Sequence, residues 1–399
     1  MVELSFKDLT FRDIENKIKI SFLNLYYFYL DKNELNKIGD FEIDKNKIIF
    51  KNIDERKVGR KFNNLLSKGF TGLKNRIGNK PTTYVHMNSG IPLIGYMPVG
   101  IVDKNVSLIE IKPLTNCNLA CTFCSVDLSK RPHDFVVEKD YLVQEVKKLV
   151  GFKDISGVEI NINPHGEPTL YADLVDLVKD LSKIKQIEVI SMNTNAVLLT
   201  KKYVDDLIEA GFTRFNVSLH ALDSEKAKYL AGNKGYDIKK IIEICKYIAK
   251  KNKLLIAPVW VQGDNDEEIP KLIEFGKELG VPIRIQNFQV HKMGKKPVKK
   301  EMNWDKFYSK LKELEKEHNM RLIGDFEGFK LKKTKKLPAP FKKDDVITAK
   351  LKCAGEFPGE MVAVAENRAI SVLNCSKTNG IIKLKILRDK YNIFVGKLV

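Results

Sequence analysis

Between about residues 105 and 300, short runs of β-branched and apolar residues alternate with longer stretches whose apolar positions recur at helical spacing. The short runs predict strands at 107–111, 157–162, 187–192, 214–219, 254–261 and 283–288. The longer stretches predict amphipathic helices at 139–149, 170–184, 201–210, 238–250 and 267–279. Gly211 and Gly280 fall just past two of these helices, where a left-handed residue closes the last turn. Six strand–helix units in series predict parallel strands with right-handed crossovers. The class is therefore α/β, either an open doubly wound sheet or a partial barrel, and in both the chemistry belongs at the C-terminal ends of the strands.

The flanks read differently. Residues 18–30 are apolar and aromatic, 41–53 alternate around polar turns, and 56–76 predict a basic helix followed by a loop. Residues 1–100 are thus expected to form a small α+β cap on the core at 101–300. Residues 301–350 read as a helical and basic linker, with a charged helix at 304–318. Two Lys-rich segments, 292–300 and 330–343, flank that helix. In the last stretch, 351–399, the alternation at 359–373 predicts a hairpin and 381–386 and 391–395 two more strands, together a small β-barrel. No internal repeat is visible.

Composition narrows the class. Hydrophobic residues make up 43% and charged residues 30%, ordinary for a globular chain. No run of about 18 apolar residues predicts a membrane span, and the first residues lack an apolar signal core, so a cytoplasmic location and no membrane partner are expected. The formal charge of +18 points to a polyanionic partner such as RNA. Yet 59 of the 69 cationic residues are Lys and only ten are Arg, and Ile and Asn are abundant as well, so compositional bias accounts for part of the excess.

Six cysteines occur, and Cys117, Cys121 and Cys124 lie together in TNCNLACTFCSVD, directly after the first predicted strand. In a reducing compartment such a group reads as metal-binding rather than disulfide-forming. A [4Fe–4S] cluster ordinarily takes four thiolates. Three adjacent ones ligate three irons and leave the fourth open, as a catalytic centre requires. The competing reading is zinc, with His133 as a distant fourth ligand.

The C-x3-C-x2-C spacing, with aromatic Phe123 immediately before Cys124, resembles the signature of the radical S-adenosylmethionine (SAM) superfamily, and the chain as a whole looks similar to an archaeal group of such iron–sulfur proteins. The resemblance covers roughly residues 105–300. It implies a partial (β/α)6 TIM-type barrel, a [4Fe–4S] cluster on the three cysteines, and SAM held by the open iron. It implies too that one-electron reduction splits SAM to a 5′-deoxyadenosyl radical, with the electron from a donor protein such as a ferredoxin or flavodoxin. Gly166-Glu167-Pro168 after the second strand resembles the motif that receives the SAM ammonium. Thr194-Asn195 after the third resembles a Thr-Asn-Gly, with Ala196 in the glycine's place. On the fourth strand Asn216, Ser218 and His220 alternate to one face. Ser218 matches a SAM-bonding position, and His220 either contacts ligand or satisfies a buried backbone group. Residues 263–266 (GDND) follow the fifth strand as a helix cap, and Gln286, Asn287 and Gln289 close the sixth at the expected substrate mouth.

Cys245, Cys353 and Cys375 are too dispersed for a second cluster, and no cobalamin-sized domain precedes the core. A methyl-relay cysteine after the barrel is known in one class of RNA methylases; for Cys353 and Cys375 a packing role is preferred. The tail resembles a TRAM-type RNA-binding barrel. With the Lys-rich segments it makes RNA, tRNA above all, the expected substrate. The alternatives are a small molecule or peptide in cofactor or lipid biosynthesis, or a non-enzymatic metal-containing RNA-binding protein.

Overall fold

The structure, a computed structural model, describes residues 1–51, 54–298, 300–324 and 331–399. The end of the 41–53 alternation, one position of the 292–300 segment and the first of the 330–343 segment lie outside the described residues.

Five parallel strands form the core: β1 (Leu108–Lys112), β2 (Val158–Ile162), β3 (Ile187–Thr194), β4 (Arg214–Val217) and β5 (Lys253–Ile256). They lie side by side in chain order, and the antiparallel strand Gly100–Asp103 closes the β1 edge. A sixth, β6 (Gln286–Asn287), continues the curve beyond β5. It pairs in parallel with Val259–Trp260, and Ile256 bridges Ile283. Pro258 splits the predicted strand 254–261, because proline has no N–H for the ladder. The fourth strand stops at Val217 rather than 219. With helices outside each crossover and the sheet unclosed, this is the partial (β/α)6 barrel that the resemblance implied.

Alternation divides each strand between helices and interior. On β2, Val158, Ile160 and Ile162 are fully buried against the apolar core. The intervening Glu159 and Asn161, like Ser191 on β3 and Arg214 and Asn216 on β4, face into the barrel and bond one another. Ser191 Oγ donates to Glu159 at 2.7 Å, Arg214 pairs with Glu159, and Asn216 donates to Asn193 at 2.8 Å. An open barrel cannot fill its centre with aliphatic layers alone, so a satisfied polar network forms its floor.

The N-terminal region is α+β. Strands Leu9–Ile14, Lys17–Phe22 and Tyr26–Asp31 form an antiparallel sheet with Lys74–Asn75. A second sheet joins Val2–Ser5, Lys47–Phe50 and Phe41–Asp44. The helix Glu55–Phe70, capped by Asp54, buries Val58, Phe62 and Leu66 against them. Residues 80–100 are woven into the core, since Thr82–Val85 pairs in parallel with Asp134–Val137.

The tail is a closed five-stranded barrel of β7 (Val346–Ala354), β8 (Met361–Ala365), β9 (Arg368–Leu373), β10 (Ile381–Arg388) and β11 (Val395–Leu398), around its own apolar core. It starts inside the stretch read as linker. Its last strand lies four residues later than 391–395, because Tyr391 and Asn392 take left-handed backbone (φ 61° and 53°) and make a turn. The barrel sits on the segment before the core: Ala369 N donates to Ile94 O at 3.0 Å and Phe394 N to Gly95 O at 2.9 Å. A Cβ at Gly95 would lie 2.1 Å from Ala369 O, so this approach needs glycine.

Candidate functional site

The cysteine loop leaves the end of β1 and is gripped on three sides. Ala120 N donates to Ala231 O at 3.1 Å and Thr122 N to Leu230 O at 3.0 Å, tying the loop to the end of the helix Ser224–Ala231. Lys295 N donates to Cys124 O at 2.9 Å, bringing the first Lys-rich segment against the loop. Glycines stand at each contact. A Cβ on Gly166 would lie 2.0 Å from Asn116 O, on Gly232 2.2 Å from Ala120 O, and on Gly294 2.9 Å from Cys124 O.

Cys117, Cys121, Phe123 and Cys124 form one wall of a cavity of about 400 Å³ at the C-terminal mouth of the barrel. Gly166, Glu167, Thr194, Asn195, Ser218 and His220 line the same cavity, as do Gln286, Asn287 and Gln289 at its rim. Two predicted residues stand elsewhere. Pro168 is buried at the start of the short turn Pro168–Leu170, where its missing N–H is no loss. Asn216 lies one layer deeper, bonded to Arg214 and Asn193. Residues 263–266 do not cap the helix Glu268–Leu279. Instead buried Asn265 clasps the loop, accepting from Val261 N at 2.8 Å and donating to Val259 O at 3.0 Å and His220 O at 3.1 Å.

Burial pushes the Cys117 and Cys121 thiols up to about 12 and raises that of Cys124. Unpaired thiolates are therefore disfavoured here, and a cationic metal centre is what would draw the protons off. Among the described residues no three His, Cys, Asp or Glu gather around a point that a single metal ion would occupy. His133 stands apart, bonded to Thr83 at 2.7 Å and packed edge-on against Phe135. Three thiols on one cavity wall, on a loop held by backbone bonds, fit a cluster with three protein ligands. Cys117, Cys121 and Cys124 would hold it.

Glu167 is buried and anchors the end of β3. Its Oε1 accepts from Thr169 N at 3.1 Å, Thr169 Oγ1 at 2.6 Å and Thr194 Oγ1 at 2.6 Å, and its Oε2 accepts from Asn195 N at 2.8 Å. Burial raises its pKa, and these donors oppose the rise without cancelling it. A carboxylate so enclosed, with one edge on the cavity, suits a cationic ligand group. Asn195 Nδ2 donates to Asn118 at 2.8 Å, joining the third strand to the cysteine loop. Ala196 adopts φ 60°, the backbone a glycine would take freely, so the departure from Thr-Asn-Gly keeps the geometry at the expense of strain.

His220 satisfies a buried backbone group, and it also stands where a ligand would meet it. Its Nδ1 accepts from Val259 N at 3.0 Å, and its ring lines the cavity edge-on to Phe123, 4.7 Å between centroids. Burial lowers its pKa to about 4. The ring is thus neutral at pH 7, and with Nδ1 accepting, its proton is assigned to Nε2.

Sequence reasoning missed Asn163, Asn193, Tyr236 and His291 in the lining. The two asparagines were legible, since they continue the inward alternation of β2 and β3. Tyr236 sits in a loop between helices and gave no signal. Cys353 and Cys375 do not line the cavity; Cys353 packs against the main core and Cys375 Sγ donates to Lys377 O.

The profile of the Radical SAM superfamily matches residues 111–276. An uncharacterised protein of Methanocaldococcus jannaschii is 36% identical over 97% of this chain and 97% of its own length. The GTP 3′,8-cyclase of Listeria monocytogenes is 35% identical over 44% of this chain and 52% of the cyclase, so the chain spans about half of that relative. Streptococcus suis SuiB bound to precursor peptide SuiA overlays with a TM-score of 0.44 at 18% identity, covering 80% of this chain and 72% of that one. No helix among the described residues is long and apolar enough to cross a membrane. The profile match begins in β1 and takes in the cysteine loop, Glu167, Thr194 and His220, and from this, with the full-length relative, the chain belongs to the radical SAM superfamily, whose members use a [4Fe–4S] cluster and SAM.

Proposed function

We propose that this radical SAM enzyme modifies RNA, tRNA above all. The observation that carries the reading is the outer surface of the tail barrel. Thr348 and Lys350 on β7 point outward, opposite Lys383 and Ile381 on β10, and Lys385 pairs with Lys397 on β11. Lys350, Lys383 and Lys397 are exposed and Ile381 is 71% exposed. From 346 to 399 the chain carries nine Lys and Arg against four Asp and Glu, and two of those carboxylates, Glu356 and Glu360, are buried. The strand face left to solvent is therefore basic, with apolar side chains among the cations, which suits a phosphate backbone and unstacked bases. A barrel of this size and charge supports the TRAM-type resemblance.

When bound, the cluster and SAM supply the radical that removes hydrogen from substrate; the chain supplies position and exclusion of water. In this reading Glu167 receives the SAM ammonium. Thr194, Asn195, Ser218 and the His220 Nε2–H bond its polar groups, while Phe123 shields the cysteine loop. Gln286, Asn287 and Gln289 meet the substrate at the rim, and an acidic redox protein such as a ferredoxin or flavodoxin provides the electron.

A second reading takes a nucleotide or other small molecule as substrate. The likeness of the core to the GTP 3′,8-cyclase favours it. So does a second cavity of about 470 Å³, largely apolar, between core and tail. Mass spectrometry of tRNA nucleosides from a strain lacking the gene, beside its parent, separates the two. A nucleoside lost or unmodified in the deletion supports RNA. Identical profiles remove the RNA reading and turn the search to metabolites.

A further inference from the structure

The loop that opens the tail barrel sends one carboxylate into the core. Glu356 is wholly buried, and each of its oxygens meets a cation or donor of the core. Oε1 lies 3.0 Å from Arg131 Nη1, and Oε2 lies 2.8 Å from His165 Nδ1. His165 immediately precedes Gly166-Glu167. Arg131 holds the same turn a second time, through Nη1 to His165 O at 3.2 Å. Its Nη2 donates to Thr115 O, two residues before Cys117. Its Nε stands 2.8 Å from Asp134 Oδ1, a charge contact without hydrogen-bond alignment. Asp134 in turn accepts from Thr115 Oγ1 and Asn116 Nδ2, both at 3.0 Å. The two segments so held are also bonded to each other, Glu167 N donating to Asn116 O at 2.8 Å.

We propose that Glu356 is a positioning residue of the SAM site: the tail barrel inserts it behind the cavity to fix the Gly166-Glu167 turn and the entry to the cysteine loop, so that the tail completes the SAM site instead of only carrying substrate. The inference is independent of whether the substrate is RNA. Charge explains why a carboxylate stands there. Arg131 is 4% exposed and must be neutralised, and Asp134 alone is already shared with Thr115, Asn116 and Asn75. A buried guanidinium with two fixed carboxylates has one orientation, and the backbone carbonyls it holds at 115 and 165 inherit it.

Glu360 provides the comparison. It lies in the same loop and is 5% exposed, yet its carboxylate takes Ser371, Phe357 N and Tyr96 rather than Arg131 or His165. Tyr96 Oη also accepts from Glu356 N at 2.7 Å, so the two residues share a backbone support and differ in what their carboxylates hold. The full-length protein with reconstituted cluster is compared as wild type, Glu356→Gln and Glu360→Gln. SAM affinity is read by anaerobic equilibrium dialysis, backbone exchange at 115–117 and 164–169 by hydrogen–deuterium mass spectrometry, and folding by the thermal midpoint. Glu356→Gln is expected to weaken SAM binding by about tenfold, the lower end for loss of a supporting partner, and to speed exchange in both segments. Glu360→Gln is expected to lower the midpoint with SAM affinity unchanged. Native SAM affinity in a folded Glu356→Gln protein overturns the proposal. So does an equal loss of affinity in both variants, which would mean the loop acts only through stability. Should Glu356→Gln not fold, Glu356→Asp, which keeps the charge but shortens the reach, must show the same weakened binding and faster exchange; native values in that variant overturn the proposal.

Discussion

Glu167 shows how one buried side chain ties site and stability together. Four donors converge on its two oxygens, yet burial still raises its pKa. The sign follows from linkage. An acid with a folded pKa above its unfolded value binds its proton more tightly in the fold. Its contribution is fully favourable below the unfolded value of about 4.3 and is lost as pH rises through the folded value. Ionising Glu167 as pH rises through its folded value therefore costs stability, a cost that a cationic ligand beside the carboxylate would offset. Glu167→Gln removes the charge but turns an N–H₂ toward Asn195 N–H or the threonine donors, leaving a buried donor without an acceptor. It is expected to lower stability by about 1–3 kcal/mol at pH 7 and to flatten the change in stability just above pH 4.3. Thr194→Val removes one donor of four and also strands Ala196 N, whose bond Thr194 Oγ1 accepts at 3.0 Å, so it too should cost about 1–3 kcal/mol. Urea unfolding at several pH values checks both; a Gln variant as stable as wild type would contradict the geometry.

At the scale of elements, the cysteine loop is placed by contacts that sequence does not spell out. The strands and helices were legible because their apolar residues keep periods of two and 3.6, and the site loops because strand ends in such a sheet point one way. The errors have local causes. Pro258 broke the fifth strand, and Asn265 proved a clasp because its amide found three backbone partners before the helix began. The first tail strand was hidden among lysines: Lys350 and Lys352 on β7 continue the run that made 330–343 look like linker. Gly232 was not legible, because the short helix Ser224–Ala231 that it closes was not read from the sequence. In the structure it takes φ 60° with Ala120 O where a Cβ would stand, 2.2 Å away. Gly263 is also left-handed, at φ 87°, but faces open space. Gly263→Ala should therefore meet only backbone strain, about 1–2 kcal/mol. Gly232→Ala must also push the cysteine loop aside, and is expected to reduce the iron bound per chain after reconstitution by more than half. Equal iron content in the two variants would mean that the loop is not held from this side.

For the whole molecule, the question is whether a charge of +18 is a binding surface or a compositional habit. Many lysines are already committed: Lys202 to Asp206, Lys139 to Asp180, Lys153 to Asp103 and Lys271 to Glu268. Those pairs are scattered over the molecule and define no face. On the tail the arrangement differs, since β7, β10 and β11 bring Lys350, Lys383 and Lys397 onto neighbouring outward positions, and the surface carboxylates close by are few. Counterion release turns this into a number. Each phosphate neutralised on a flexible strand contributes about 0.7 to the slope of log affinity against log salt. If these three lysines each meet a phosphate, replacing all three with Gln should reduce the slope for tRNA by about 2, at every salt concentration and with little dependence on sequence. Lys202→Gln, taken from a pair on an outer helix, should leave the slope unchanged. Filter binding of tRNA across a salt series reads both slopes. A triple variant with the wild-type slope would show that the tail's lysines are solvated rather than used, and the RNA reading would lose the surface it stands on, while the cysteine loop, Glu167 and the buried Glu356 contact would keep their places in a radical SAM enzyme of another substrate.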